Sequence, residues 1–323
     1  MPILNLDPLP VSRRELLAAA TGLVAAASSA RAATPAGPLK VSIFSKHLLF
    51  LEGDALAQRA AEIGFDGIDL AVRKGGHVEP PQVAQDLPKL VEIIRRHGLE
   101  VQMLTTDIVD ADSPYAEDIL RTMHGLGIRY YRWGGFRYDY SKPMASQLEA
   151  LKPRVARLAA LNKRYGATAM YHTHSGIGLV GAPIWDLYIV LKDFDPNAVA
   201  VNYDVGHATI EGGFGGWIDS FYISEPHLRG IAVKDFMWEK NGKGEWKAEF
   251  VALGAGMVHF PKFFGMVKQS GFSGPLQLHF EYPLGGANNG ARKLTISQDE
   301  LFSAMRRDLK QLRTYLKDAG LSA

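Results

Sequence analysis

The sequence predicts an α/β fold, a (β/α)8 TIM barrel formed as a single domain after a cleaved signal peptide. Three observations carry this. Eight short β-rich runs alternate with longer stretches of helical periodicity from Leu39 onward, a helix–Gly–strand phrase recurs between them, and no Pro/Gly/Ser-rich linker interrupts the region. A doubly wound open sheet is the competing arrangement, but no Gly-rich phosphate turn follows the first strand.

In chain order the strands fall at Leu39–Lys46, Gly67–Val72, Glu100–Thr106, Tyr130–Gly134, Ala167–Ser175, Ala198–Gly206, Leu228–Phe236 and Pro275–Tyr282. Helical patterns occupy Asp54–Ile63, Pro88–His97, Pro114–His124, Ser146–Tyr165 and Pro261–Gln269, each with apolar residues at helical spacing. Gly64, Gly98, Gly166 and Gly271 stand where helices hand over to strands, as a left-handed helix-closing residue requires.

The N-terminal segment has a different character. Ser12-Arg13-Arg14-Glu15-Leu16-Leu17 precedes an apolar run, Ala18 to Ala27, and an Ala30-Arg31-Ala32 cleavage site. That order is an export signal, and its arginine pair resembles the twin-arginine type. The expected organisation is therefore a signal peptide over 1–32, a short linker over 33–38, and a barrel over 39–323 with a C-terminal helix. The expected location is periplasmic, with no membrane span in the mature form. Removing the leader, with three Arg against Asp7 and Glu15, takes the formal charge from +2 to +1. Neither a large charge nor a basic run points to nucleic acid. Cysteine is absent, so no disulfide supports the chain, and the oligomeric state is open, a homo-oligomer included.

Strand parity locates the chemistry. In PLQLHFEYP, Gln277, His279 and Glu281 oppose Leu276, Leu278, Phe280 and Tyr282. A barrel strand turns its apolar side to the helices, so the polar row points inward. The same parity sets Asn202 and Asp204 against Val201 and Tyr203, His172 and His174 against Tyr171 and Thr173, and Lys234 against Val233, with Asp235 at the strand exit. Ionisable groups thus close four consecutive strands at one mouth.

Two inward carboxylates cannot be buried unpaired, because uncompensated charge costs several kcal/mol. A divalent metal held by mixed oxygen and nitrogen ligands satisfies them, with Mn, Zn, Co, Fe or Mg as candidates. The expected ligands are Asp204, Glu281, His172 and His207; His207 is open to a substrate hydroxyl instead. The alternative is an ion network of Asp204 and Glu281 with Lys234. Glu281, His172 and Lys234 are the expected catalytic groups, and His174, Asp235, Arg132 and His47 the expected substrate contacts. Gln277 and His279 read as barrel filling. Trp133, Trp185, Trp217 and Trp238 are sugar-stacking or packing residues.

Taken together, GFDGIDLAV, YHTHSG, NYDVGHA, AVKDF, LGAGMVHFPKFF and GPLQLHFEY resemble the xylose-isomerase-like sugar phosphate isomerases and epimerases, from Val41 to about Gly290. The resemblance implies four metal ligands, Glu, Asp, His and Glu, at the ends of strands five to eight. Asp204 and Glu281 match the second and fourth. His172 stands at the first, and Ala232 where the usual strand-seven His would be. It further implies proton removal next to a carbonyl, assisted by a metal, with Glu281 as the base. The expected partner is a small-molecule carbohydrate, an unphosphorylated sugar, keto-sugar, glycoside or cyclitol, acted on by an isomerase or epimerase. The altered glutamate pair keeps two alternatives open, β-elimination on a 3-keto-glycoside and a non-catalytic sugar-binding barrel. The DNA-repair endonucleases sharing the fold need more ligands and a basic groove.

Overall fold

The structure is a computed structural model that describes residues 38–322, within a compact unit Pro35–Ala323. The leader expected over 1–32 lies outside the described residues. Eight parallel strands close into a barrel: β1 (Val41–Phe44), β2 (Gly67–Val72), β3 (Glu100–Thr106), β4 (Tyr130–Trp133), β5 (Thr168–His172), β6 (Val199–Asp204), β7 (Leu228–Val233) and β10 (Leu276–Leu278). Each pairs with its predecessor, and β10 returns to β1 through Val41 opposite Leu276. The intervening β8 (Asp235–Lys240) and β9 (Trp246–Val251) form a separate antiparallel hairpin on the mouth side of β7.

Around the barrel run α1 (Gly53–Ile63), α2 (Val83–Arg96), α3 (Ala116–Leu126), α4 (Met144–Tyr165), α5 (Trp185–Leu191), α6 (Val205–Gly212), α7 (Gly216–Ser224), α8 (Phe260–Gln269) and α9 (Gln298–Asp318). The expected glycines do close helices: Gly64, Gly98, Gly166 and Gly271 all have positive φ. Helix α2 starts earlier than its sequence pattern, after a 3-10 turn at Pro80–Gln82, and runs through Pro88. In α9, the Ser297 side chain accepts from the Glu300 amide, the start of a Ser-x-x-Glu capping box.

Two apolar layers result. The large one, between strands and helices, takes Leu276, Leu278 and Phe280 from the last strand, with Tyr203, Val233 and Tyr171. The small one, Met103, Met170 and Ala200, fills the inside of the barrel. Regular strand ends earlier than the sequence pattern suggests at β1, β4, β5, β6, β7 and β10, and the last three of these breaks place Asp204, Lys234 and Glu281. Strand β6 stops at Asp204, whose carboxylate caps α6 by accepting from the His207 amide at 3.0 Å. Strand β7 stops at Val233, so Lys234 sits at a break before the hairpin. Strand β10 stops at Leu278, although the His279 amide still donates to the Val233 carbonyl at 2.9 Å. These breaks at the C-terminal rim free the side chains that follow from the ladder.

Candidate active site

The buried groups at the mouth converge on Lys234, whose side chain is only 2% exposed. Its ammonium donates to Glu281 Oε2 at 2.8 Å and to His207 Nε2 at 2.6 Å, and lies 3.1 Å from Asp204 Oδ2. The Phe250 ring of β9 covers it, 4.9 Å from Nζ to the ring centre. Glycine is required nearby: a Cβ on Gly206 would lie 2.8 Å from Lys234 Cγ. The ion network expected as an alternative to a metal is therefore present.

Hydrogen bonds fix the imidazole tautomers. Arg132 Nη2 donates to His174 Nε2 at 3.1 Å, so His174 Nδ1–H faces the His172 carbonyl at 3.2 Å. Lys234 donates to His207 Nε2, so its Nδ1–H goes to Ser175 Oγ at 2.8 Å. Both ring nitrogens of His207 are engaged in this arrangement, and a ligand atom of His207 lies within 4.8 Å of those of His172 and His174, a second cluster able to hold an ion. His279, His172, His174 and His207 form a row with ring centres 5.4, 4.5 and 5.0 Å apart.

Two of the expected substrate contacts are engaged by hydrogen bonds within the chain. His47 is fully buried; its Nε2 accepts from the Phe280 amide at 3.1 Å and its Nδ1 faces the Ala287 carbonyl at 3.2 Å. It ties the end of β1 to the segment after β10 and has no nitrogen left for substrate. Asp235 accepts from four backbone amides, those of Phe236, Gly254, Gly256 and Val258, at 2.9, 2.9, 2.9 and 3.2 Å. It anchors the return of the hairpin. Asp235→Ala is expected to cost about 3 kcal/mol or more in urea unfolding, because four donors lose a charged acceptor.

Among the tryptophans, Trp133 and Trp217 are buried packing, while Trp185 and Trp238 are exposed. Arg132 reaches the site but, among the described residues, forms no ion pair with a carboxylate.

Burial and charge separate the carboxyls. For Glu281, burial pushes up, but Lys234, then Lys46, hold it well below the usual carboxylate range. Lys46 Nζ lies 3.5 Å from Oε1. Burial pushes Asp204 up to about 6, with Lys234 opposing. Burial, then Arg132, lowers His174 to about 3 and His172 well below the ordinary histidine range.

Deeper on β2, burial raises Asp69 to about 7 against two hydrogen bonds from Thr105. Between pH 4 and 7 the folded chain keeps a proton there that the unfolded chain has released. Its stabilising share is full below about pH 4 and falls at about 1.4 kcal/mol per pH unit up to about 7. Asp69→Asn is expected to flatten that part of the stability profile, measured by urea unfolding across the window.

Not every donor is satisfied. Among the described residues, His172 Nε2, Asp204 Oδ2 and both nitrogens of His279 are buried without a hydrogen-bond partner, and Asn202 Oδ1 is too. Lys234 approaches Asp204 Oδ2 at ion-pair distance without hydrogen-bond alignment. The His172, Asp204 and His279 ligand atoms all lie within 4.8 Å of one another.

A closed parallel barrel whose titratable groups gather at the C-terminal ends of β5, β6, β7 and the segment after β10 has the layout of a barrel-enzyme active site. The chain belongs to the Xylose isomerase-like TIM barrel family, whose model matches residues 57–301. No curated protein matches it. Among solved structures, 3-keto-D-glucoside 4-epimerase from E. coli superposes with a TM-score of 0.61 at 15% identity, over 85% of this chain and 99% of that one. A probable 3-DHS dehydratase from Bacillus anthracis gives 0.60 at 14%, over 85% and 99%. A xylose isomerase-like TIM barrel protein from Mycobacterium smegmatis, in complex with magnesium, gives 0.59 at 14%, over 88% and 97%. At these identities the likeness is one of fold. The unpartnered oxygen and nitrogen donors facing one another do fit a divalent cation.

Proposed function

We propose that this protein is a metal-assisted sugar isomerase or epimerase that removes a proton next to a carbonyl of an unphosphorylated sugar, keto-sugar or cyclitol. The observation that carries the reading is the pairing of an ionised Glu281 with the Lys234–His207 couple beside unsatisfied buried donors. The epimerase among the fold neighbours supports a carbohydrate substrate. A bound divalent cation, Mn, Zn, Co, Fe or Mg, would be held by Asp204, His172 and Glu281, and supplies Lewis-acid polarisation of the carbonyl.

The chain's own groups divide the remaining work. Glu281 Oε2 is tied to Lys234, leaving Oε1, 3.5 Å from Lys46, as the oxygen that takes the proton. Lys46, Lys234 and Arg132 bring positive charge to the mouth, which favours the enediolate over its neutral precursor. The Lys234 ammonium, which donates to Glu281 Oε2 at 2.8 Å, is the group that carries a proton to return, while His174, kept neutral by burial and then by Arg132, is left as a substrate contact. Phe250 screens Lys234 and His207 from water.

A second reading is a lyase that expels the group β to the enolate of a 3-keto-glycoside. It is favoured by one feature: among the described residues no glutamate accompanies Glu281 from β5, where the donors are His172 and His174 of that strand and the residues just after it. The Lys234–His207 couple is an acid suited to a departing alkoxide. Proton NMR of the products from metal-loaded protein separates the readings. An epimer or isomer supports the first, an unsaturated sugar with free aglycone the second, and binding without turnover a sugar-binding barrel.

We also propose that the protein is exported to the periplasm by its twin-arginine segment. Mutating Arg13 and Arg14 together to Lys is expected to leave it in the cytoplasmic fraction; unchanged fractionation contradicts this.

A further inference from the structure

We propose that His279 is a ligand of the divalent cation, entering the site from the segment after β10 over the space left by Ala232. The inference rests on the metal-assisted reading above and concerns how this chain completes the ligand set.

The observation is an imidazole with nothing to bond. His279 is 4% exposed, and neither ring nitrogen has a hydrogen-bond partner among the described residues. Each unsatisfied buried polar atom costs about 1–3 kcal/mol. The ring lies between Phe44, at 5.2 Å and 34°, and His172, at 5.4 Å and 27°. A phenylalanine would fill that slot without the penalty, so the stacking alone does not explain a histidine. Polar atoms of the candidate ligands lie close by: Nδ1 is 3.9 Å from Glu281 Oε1, and one ring nitrogen lies within 4.8 Å of the ligand atoms of His172 and Asp204.

The barrel register gives the reason for the space. Ala232 of β7 is the partner of Asp204 on one side and of Gln277 on the other. Its methyl reaches far less into the barrel than a longer side chain, and His279 stands two residues above Gln277, over that gap. Asn202 completes the arrangement. Its amide contacts His172 Nδ1 at 3.0 Å, while its Oδ1 is unpartnered. Rotating that amide, at the cost of the bond its Nδ2 donates to Gln277 Oε1 at 2.9 Å, would let Oδ1 accept from Nδ1–H and leave the His172 Nε2 lone pair free, as an outer partner of a metal-bound imidazole does.

Two measurements on the mature chain test this. The first is electron paramagnetic resonance of the Cu(II)-loaded wild type, in which coupled imidazole nitrogens are counted. Two are expected, from His172 and His279, and one would overturn the proposal. The second is Co(II) titration with elemental analysis of wild type, His279→Gln, and Ala232→His/His279→Phe. His279→Gln should weaken Co(II) by more than the roughly 10–100-fold expected from losing an outer partner. The double variant, which returns an imidazole at Ala232, should recover much of that loss. Equal Co(II) affinity in wild type and His279→Gln overturns the inference and leaves the metal-assisted reading standing. Failure of the wild type itself to bind any divalent cation removes that reading as well.

Discussion

Glu281→Gln is expected to lower turnover by about three orders of magnitude while leaving the fold intact. A positioned general base contributes about 10²–10⁴ in rate. The amide keeps the size of the carboxylate, and its oxygen can still accept from Lys234 in place of Oε2. What it loses is the charge, and with it the ability to take a proton and part of its hold on the cation. The site also loses the anion that faces both Lys234 and Lys46, so a modest loss of stability accompanies the kinetic effect. Steady-state rates with the substrate found by product analysis, compared with urea unfolding of the same samples, check both parts. A full-rate Glu281→Gln enzyme would transfer the base role elsewhere.

Asp204→Ala is expected to be the most damaging single change to structure. The carboxylate is fully buried, lies 3.1 Å from the Lys234 ammonium, and caps α6 through the His207 amide. Removing one partner of a buried pair costs about 3–5 kcal/mol, and losing a helix cap adds roughly 1. Asp204→Asn retains an oxygen for the cap and should recover about that last increment. Both variants lose a charged ligand, so elemental analysis is expected to show the bound cation lost or sharply depleted. Equilibrium unfolding with and without added Mn(II) separates the two effects: the wild type should gain stability from the ion and the variants should not.

Much of this site is legible in the sequence because strand alternation is local. Period-two parity alone puts His172, Asp204, Lys234 and Glu281 on the inner side, and the structure brings all four to one mouth. His279 shares that parity with Glu281, yet its importance is not visible there. It depends on the size of Ala232 across the barrel and on both its nitrogens lacking partners, which are properties of packing. The hydrogen bonds that occupy His47 and Asp235 are invisible in the sequence for the same reason. The Ala287 carbonyl that holds His47 is 240 residues away, and the amides around Asp235 come from the far side of a hairpin. That hairpin did leave a signal, the Asn241-Gly242-Lys243-Gly244 stretch between two tryptophan-bearing runs, and Gly244 supplies the left-handed residue of the five-residue turn. Helices α6 and α7 left less, since GHATIEGGFGGW reads as a glycine-rich loop. The first is started by the Asp204 cap, and the second is packed against β6 through Tyr203 Oη, which donates to the Trp217 carbonyl at 2.7 Å.

The central claim is that Glu281 takes a proton from the carbon next to a substrate carbonyl. The most direct measurement is deuterium incorporation at that carbon, followed by NMR, when metal-loaded protein is incubated in heavy water with ketohexoses, 3-keto-glucosides and keto-cyclitols. Incorporation is predicted for at least one of these with the wild type, and its loss in Glu281→Gln. No incorporation across the panel, or equal incorporation in both proteins, would contradict the account.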